Sequence, residues 1–140
     1  MMEESKMKLA YPAIITYCEE DSSYSIEFPD LKGCVSGGFS LIEAIEMGID
    51  AASGWILTEI EEGNAIPKAS EPTKIKVTDD NSFTNMLILD MDSYSEKYSG
   101  KCVRKNITLP RWVNTLAEKN NVNFSQLLQK TIVEKYIGAL

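Results

Sequence analysis

The segment Val103-Arg-Lys-Asn-Ile-Thr-Leu109 alternates in character and runs directly into Pro110. On a strand, Val103, Lys105, Ile107 and Leu109 point one way and Arg104, Asn106 and Thr108 the other. Pro110 ends such a strand and suits the first turn of a helix, where its missing N–H costs nothing. Trp112, Val113, Leu116 and Ala117 give that helix an apolar face, and Asn120-Asn121 breaks it. A second helix is expected from about Asn123, with Gln126 three residues on as its capping-box partner. Phe124, Leu127, Leu128, Ile132 and Tyr136 form its stripe, and Gly138 ends it. A β-α-α unit of this length cannot bury its own apolar face, and a lone strand leaves both edges unpaired. Two copies solve both problems. Their strands pair antiparallel across a two-fold axis, four helices pack beneath, and Arg104, Asn106 and Thr108 are presented twice on one face.

Charge separates this tail from the rest of the 140 residues. Residues 1–100 hold 19 Asp and Glu against 7 Lys and Arg, a net of −12, whereas residues 101–140 hold 7 Lys and Arg against 2 Glu, a net of +5. An acidic body with a basic tail suits two partners of opposite sign; mutual neutralisation of the two parts is the plainer reading. Ser99-Gly100 is the natural boundary between domains at 1–98 and 99–140.

Composition excludes several classes of function. Apolar residues make up 44% and charged residues 25%, as in ordinary globular proteins. With no histidine, Ser-His-Asp and Cys-His nucleophiles, histidine acid–base catalysis and histidine metal sites are ruled out. Cys18, Cys34 and Cys102 are far apart and form no CxxC pair, so they read as small buried thiols in a reducing compartment. No apolar run approaches the roughly 20 residues of a membrane span, and the charged start lacks a signal peptide's apolar stretch. A cytoplasmic protein without membrane partner, metal or cofactor is expected.

The first hundred residues read as an α+β layer. Residues 11–18 form a strand, with Pro12 at its start or on an edge. A polar turn, Glu19-Glu20-Asp21-Ser22, leads to an alternating strand over 23–28 with Tyr24, Ile26 and Phe28 on the buried face. Residues 34–36 make a third short strand, ended by Gly37-Gly38. Ser40 and Glu43 fit a capping box, and Leu41, Ile45, Gly48, Ala52, Trp55, Ile56 and Ile60 follow at helical spacing. This helix should stop near Glu62, with Gly63 as its left-handed C-terminal residue. Residues 74–78 are a short strand candidate. Residues 83–92, with Met86-Leu-Ile-Leu89, fit a strand buried on both faces, and 93–98 a helical turn. The expected order is β-β-β-α-β-β.

Two family resemblances follow from these motifs. Arg104-Lys-Asn-Ile-Thr-Leu-Pro110, a helix, a break and Asn123-Phe-Ser-Gln-Leu-Leu128 resemble the ribbon-helix-helix DNA-binding domain. The resemblance implies that Arg104, Asn106 and Thr108 face base edges in the major groove. It also implies that the backbone amides of Phe124 and Ser125 hold a phosphate at a helix N-terminus, with Lys101 and Arg111 as further phosphate contacts. Lys105 departs from the pattern, because a hydrophobe is commoner in its inward phase; its stem can lie along the core edge while the ammonium reaches out. The plainer reading is a dimerisation module alone.

Tyr11-Pro-Ala-Ile-Ile, Phe28-Pro-Asp-Leu-Lys-Gly-Cys-Val-Ser-Gly-Gly38, Ser40-Leu-Ile-Glu-Ala44 and Glu62-Gly-Asn-Ala-Ile-Pro67 together resemble the HicB antitoxin family. That resemblance implies a degenerate ribonuclease H-like N-terminal domain (β-β-β-α-β) and a HicA-type toxin, small, basic and RNA-cleaving, as partner. It further implies that the antitoxin covers the toxin's active site and that the tail, as a homodimer or a higher oligomer, represses the shared operon at operator DNA. An acidic body suits a basic partner. By charge, Glu19, Glu20 and Asp21 of the turn and Glu43, Glu46 and Asp50 of the helix are the toxin-facing candidates; a solvated acidic face is the plainer reading. Three rivals stand beside the antitoxin, one of them a pure scaffold that binds no DNA. Another is a Mg²⁺-dependent nuclease built on Asp21, Asp30, Asp90 and Asp92, although Asp30 reads as part of a turn and no catalytic residue is assigned. The third is a stand-alone dimeric repressor whose acidic domain senses a ligand.

Overall fold

The computed structural model describes residues 7–98 and 102–137. The expected boundary at Ser99-Gly100, the candidate Lys101 and the helix-ending Gly138 lie outside those residues. The elements are β1 (Lys8–Cys18), β2 (Ser23–Glu27), β3 (Val35–Gly38), α1 (Leu41–Glu61), β4 (Ser82–Asp90), α2 (Met91–Tyr98), α3 (Arg111–Lys119) and α4 (Phe124–Tyr136). Four strands form one sheet in the order β3-β2-β1-β4, every neighbouring pair antiparallel. The chain belongs to the α+β class, as its patterning indicates.

The meander forms first along the chain. β1 and β2 pair from Cys18↔Ser23 to Ile14↔Glu27, which places Ile15 opposite Ile26, both fully buried. Pro12 lies inside β1, but the ladder to β2 begins only at Ile14. At Pro12 the strand is therefore locally an edge on that flank, which accommodates a residue without an N–H. Gly37 and Gly38 belong to β3 rather than ending it. A Cβ on Gly38 would sit 2.7 Å from the Ala44 backbone nitrogen and 2.9 Å from the Glu43 carbonyl carbon, so only glycine lets the end of β3 approach the first turn of α1 so closely.

The segment from Phe28 to Cys34 is a structural clasp. Three backbone bonds close it: Leu31 N–H to Phe28 O, Cys34 N–H to Leu31 O and Phe28 N–H to Cys34 O, all 2.9–3.1 Å. Phe28, Leu31 and Cys34 point into the core. Asp30 accepts from the Ser70 backbone N–H (2.8 Å) and hydroxyl (2.6 Å), strapping the loop after α1 onto the turn. The Trp55 indole donates to Lys32 O at 3.1 Å, so this residue of the α1 stripe is half-buried and anchored.

α1 begins with the expected Ser40 cap, but the Glu43 carboxylate reaches one residue further back than a capping box does. Ser40 Oγ accepts from Glu43 N–H at 3.1 Å, and the Glu43 carboxylate accepts from Phe39 N–H at 2.9 Å; a cap of this kind contributes about 1 kcal/mol. Gly63 ends the helix with φ +79°. Ala44, Gly48, Ala52, Ser53 and Ile56 are buried against the sheet and α2, whereas Leu41, expected in the stripe, is exposed.

Two expectations are corrected. Residues 74–78 form no strand; a 3-10 turn at Pro72–Lys74 leads into irregular chain. β4 is buried on one face only: Leu87 and Leu89 are covered in the core while Ile88, on the opposite face, is exposed. Residues 102–110 form no ladder within the single chain; the pairing expected of them is with a second copy. Cys34 is buried, Cys18 half-buried and Cys102 exposed, so the expectation of three buried thiols holds in full only for Cys34. Among the described residues no helix is long and apolar enough to cross a membrane.

Candidate functional site

The basic tail presents its candidate residues without burying them. Arg104, Asn106 and Thr108 are exposed, and so are Val103, Lys105 and Ile107. The single chain therefore does not separate the two faces that alternation assigns; only Leu109 is half-buried. α3 and α4 contain no buried residue. Trp112 is 71% exposed, and Leu116, Leu127, Leu128 and Ile132 are about half so. The helix break falls where expected, with Asn121 in the left-handed region at φ +53°. Asn123 caps α4 by accepting from Gln126 N–H at 3.1 Å. The amides of Phe124 and Ser125 sit in the open first turn, where no intrahelical acceptor exists. Ile107, Leu109, Arg111, Asn114 and Phe124 line one shallow groove of about 430 Å³, so two of the expected phosphate contacts, Arg111 and Phe124, lie together beside the candidate strand.

The acidic candidates converge through the sheet register. Tyr17 pairs with Tyr24, and Tyr24 with Gly38. The Glu19–Asp21 turn and the start of α1 therefore leave the sheet at the same end. Thr16 pairs with Ser82 in β4, and Tyr17 N–H donates to Asn81 O at 3.0 Å, which brings Asp79 and Asp80 to that end as well. Both are exposed. Neither is distinguished in the sequence, because residues 79–82 read only as a turn; β-pairing across more than sixty residues is what brings them in.

These carboxylates differ in what they already do. Asp21 accepts from the Ser23 hydroxyl at 2.6 Å; that bond and one with Cys18 hold its carboxyl below the usual range. Glu43 is engaged in the α1 cap. Glu46 and Asp50 are exposed along α1; Asp50 lies close enough to Tyr94 to help push that phenol's pKa up, after burial.

The carboxylates named for metal chemistry serve local structure. Asp30 holds Ser70, Asp90 accepts from Ser93 N–H at 3.1 Å, and Asp92 accepts from Met7 N–H at 2.6 Å. Among the described residues no group of three metal-ligating side chains comes together.

Solved structures place this arrangement among known folds. A chain in the toxin–antitoxin complex from Streptococcus pneumoniae is 26% identical, spanning 92% of this chain and 99% of its own length, with a TM-score of 0.60. The Burkholderia pseudomallei antitoxin HicB is 20% identical over 91% of this chain and 98% of its own, with a TM-score of 0.58. Antitoxin HicB3 is 22% identical over 94% and 100%, with a TM-score of 0.51; these last two bear on the fold alone. No curated protein matches the chain. The model of the HicB-like antitoxins of bacterial toxin–antitoxin systems matches residues 11–132, and this chain belongs to that family.

Proposed function

We propose that the acidic body binds and neutralises a small, basic, RNA-cleaving toxin of the HicA type, and that two basic tails assemble into a ribbon-helix-helix module that represses the operon encoding the pair. In this reading the body is the degenerate ribonuclease H-like domain of residues 1–98, and residues 99–140 are the dimerisation and DNA-binding domain of a cytoplasmic protein. The observation that carries it is the tail: a segment without a ladder, followed by two helices on which Trp112, Leu116, Leu127, Leu128 and Ile132 are exposed, while only Val133 and Ile137 pack against the body's core. Such a surface calls for a partner, and a second copy supplies strand and core together. Pairing across a two-fold axis then aims Arg104, Asn106 and Thr108 at base edges, with Lys101, Arg111 and the amides of Phe124 and Ser125 on phosphates. Family membership, and the relative found in a toxin–antitoxin complex, support the toxin as the body's partner.

The test is growth of cells expressing the small basic reading frame adjacent to this one, with and without this protein. Arrest that this protein relieves, with co-purification of the two chains, is the expected result. Arrest without rescue, or no arrest, overturns the antitoxin reading and leaves the dimeric repressor with a ligand-sensing body.

A further inference from the structure

The end of the sheet that gathers the acidic turns also carries the body's most exposed apolar side chains. Phe39, between β3 and α1, is 78% exposed, and Ile42, in the first turn of α1, is 72% exposed. Both stand in a part of the molecule with a well-packed core, so neither is bare for want of a fold. Large apolar groups left together in water mark a contact surface, and an aromatic ring beside an aliphatic side chain is what the centre of a protein interface uses. Phe39 is also held in place: its N–H donates to the Glu43 carboxylate, and glycine at position 38 keeps the preceding strand tight against α1.

The charge around this pair selects the occupant. Glu19, Glu20 and Asp21 leave the same end of the sheet from the β1–β2 turn, Asp79 and Asp80 leave it from the loop before β4 at the far edge, and Glu43 and Glu46 lie in the first turns of α1. Residues 9–31, 33–67 and 77–96, which supply every one of these groups, contain no Lys or Arg. A second body docking here would set like charge against like, which costs affinity. A basic surface with an apolar recess at its centre meets both requirements.

We infer that the toxin docks on this end of the sheet, with Phe39 and Ile42 as its apolar anchors and the Glu19–Asp21 and Asp79–Asp80 loops as its acidic rim, rather than along the length of α1. The inference rests on the antitoxin reading and specifies its surface. Anchors set the dissociation rate, and the rim steers association in a salt-sensitive way.

Full-length protein and the toxin encoded beside it provide the test, read by binding kinetics and by rescue of growth. All the substituted residues are exposed, and thermal melting checks that each variant folds. Phe39→Ala with Ile42→Ser should weaken toxin binding roughly tenfold or more, mainly through faster dissociation. Asp79→Lys with Asp80→Lys should slow association roughly tenfold at low salt, with the difference shrinking as salt rises. Asp50→Lys, further along α1, should have the smaller effect. Unchanged toxin binding in the first two variants, with wild-type rescue intact, overturns this surface while the antitoxin reading stands. So does a first variant whose only change is a lower oligomeric mass, which would assign the patch to a second copy. A wild-type protein that binds no toxin overturns the antitoxin reading itself.

Discussion

The body and the tail use similar proportions of apolar residues to opposite ends. In the body, Ile15, Ile26, Leu31, Ile56 and Leu89 are fully buried, each contributing about 1.5–3 kcal/mol by leaving water. In the tail, α3 and α4 bury nothing completely, and the segment before them has no ladder. Both have well-formed helix starts, so local signals are sound in each. The body closes its core within one chain because its strands meet on both sides of β1. The tail has one strand candidate and two short helices, too few surfaces to enclose a core. A periodic sequence thus specifies which face should be buried but not whether the burying partner lies in the same chain.

Substitutions can break this contrast. The largest effect belongs to the body: Ile26→Ala should cost about 2–5 kcal/mol of stability, seen as a lower melting temperature that does not depend on protein concentration. A concentration-dependent loss would mean the body's core is itself completed by association. Arg104→Ala comes next. It should weaken operator binding by about 1–3 kcal/mol and relax base preference, while melting and oligomeric mass stay unchanged; an altered mass would show that Arg104 holds the assembly rather than the DNA. The smallest effect is titration. Burial, aided by the nearby Asp30 charge, raises the Tyr11 pKa, and its hydroxyl donates to Pro67 O at 2.5 Å. A pKa raised on folding means the neutral form is preferred in the folded state, so its contribution is present below the ordinary tyrosine value and lost as pH rises past about 10. Melting temperatures between neutral and strongly alkaline pH should fall less steeply in Tyr11→Phe than in the wild type, with tail-dependent DNA binding unaffected at neutral pH.

Much of the body was legible because its cues are local. The Ser40–Glu43 box, the left-handed Gly63 and the alternation through Tyr24, Ile26 and Phe28 each involve residues within a few positions. The Glu43 back-bond goes to Phe39 N–H rather than to the cap residue, a detail of loop geometry that spacing does not encode. Residues 74–78 have strand character but join neither open edge of the sheet, and Ile88 lies on the uncovered face of an edge strand. Those outcomes depend on β4 pairing with β1, a contact spanning most of the body. The acidic candidates show the same division. Their charge is plain in the sequence, while their convergence, and the inclusion of Asp79 and Asp80, follow from the Tyr24↔Gly38 and Thr16↔Ser82 registers.

The unladdered segment at residues 102–110 carries a consequence for the protein's lifetime. Backbone without hydrogen-bonded partners is what proteases cut most readily. When two copies hold each other's segment, cleavage must wait for them to part; when dilution separates them, the open form is the prevailing one. Because pairing is second order in concentration, a modest drop in abundance shifts a larger share of chains into the cleavable form, and degradation then accelerates the drop. On the proposed pairing, a tail that completes its fold only in company would make the protein's own persistence a readout of how much of it is present.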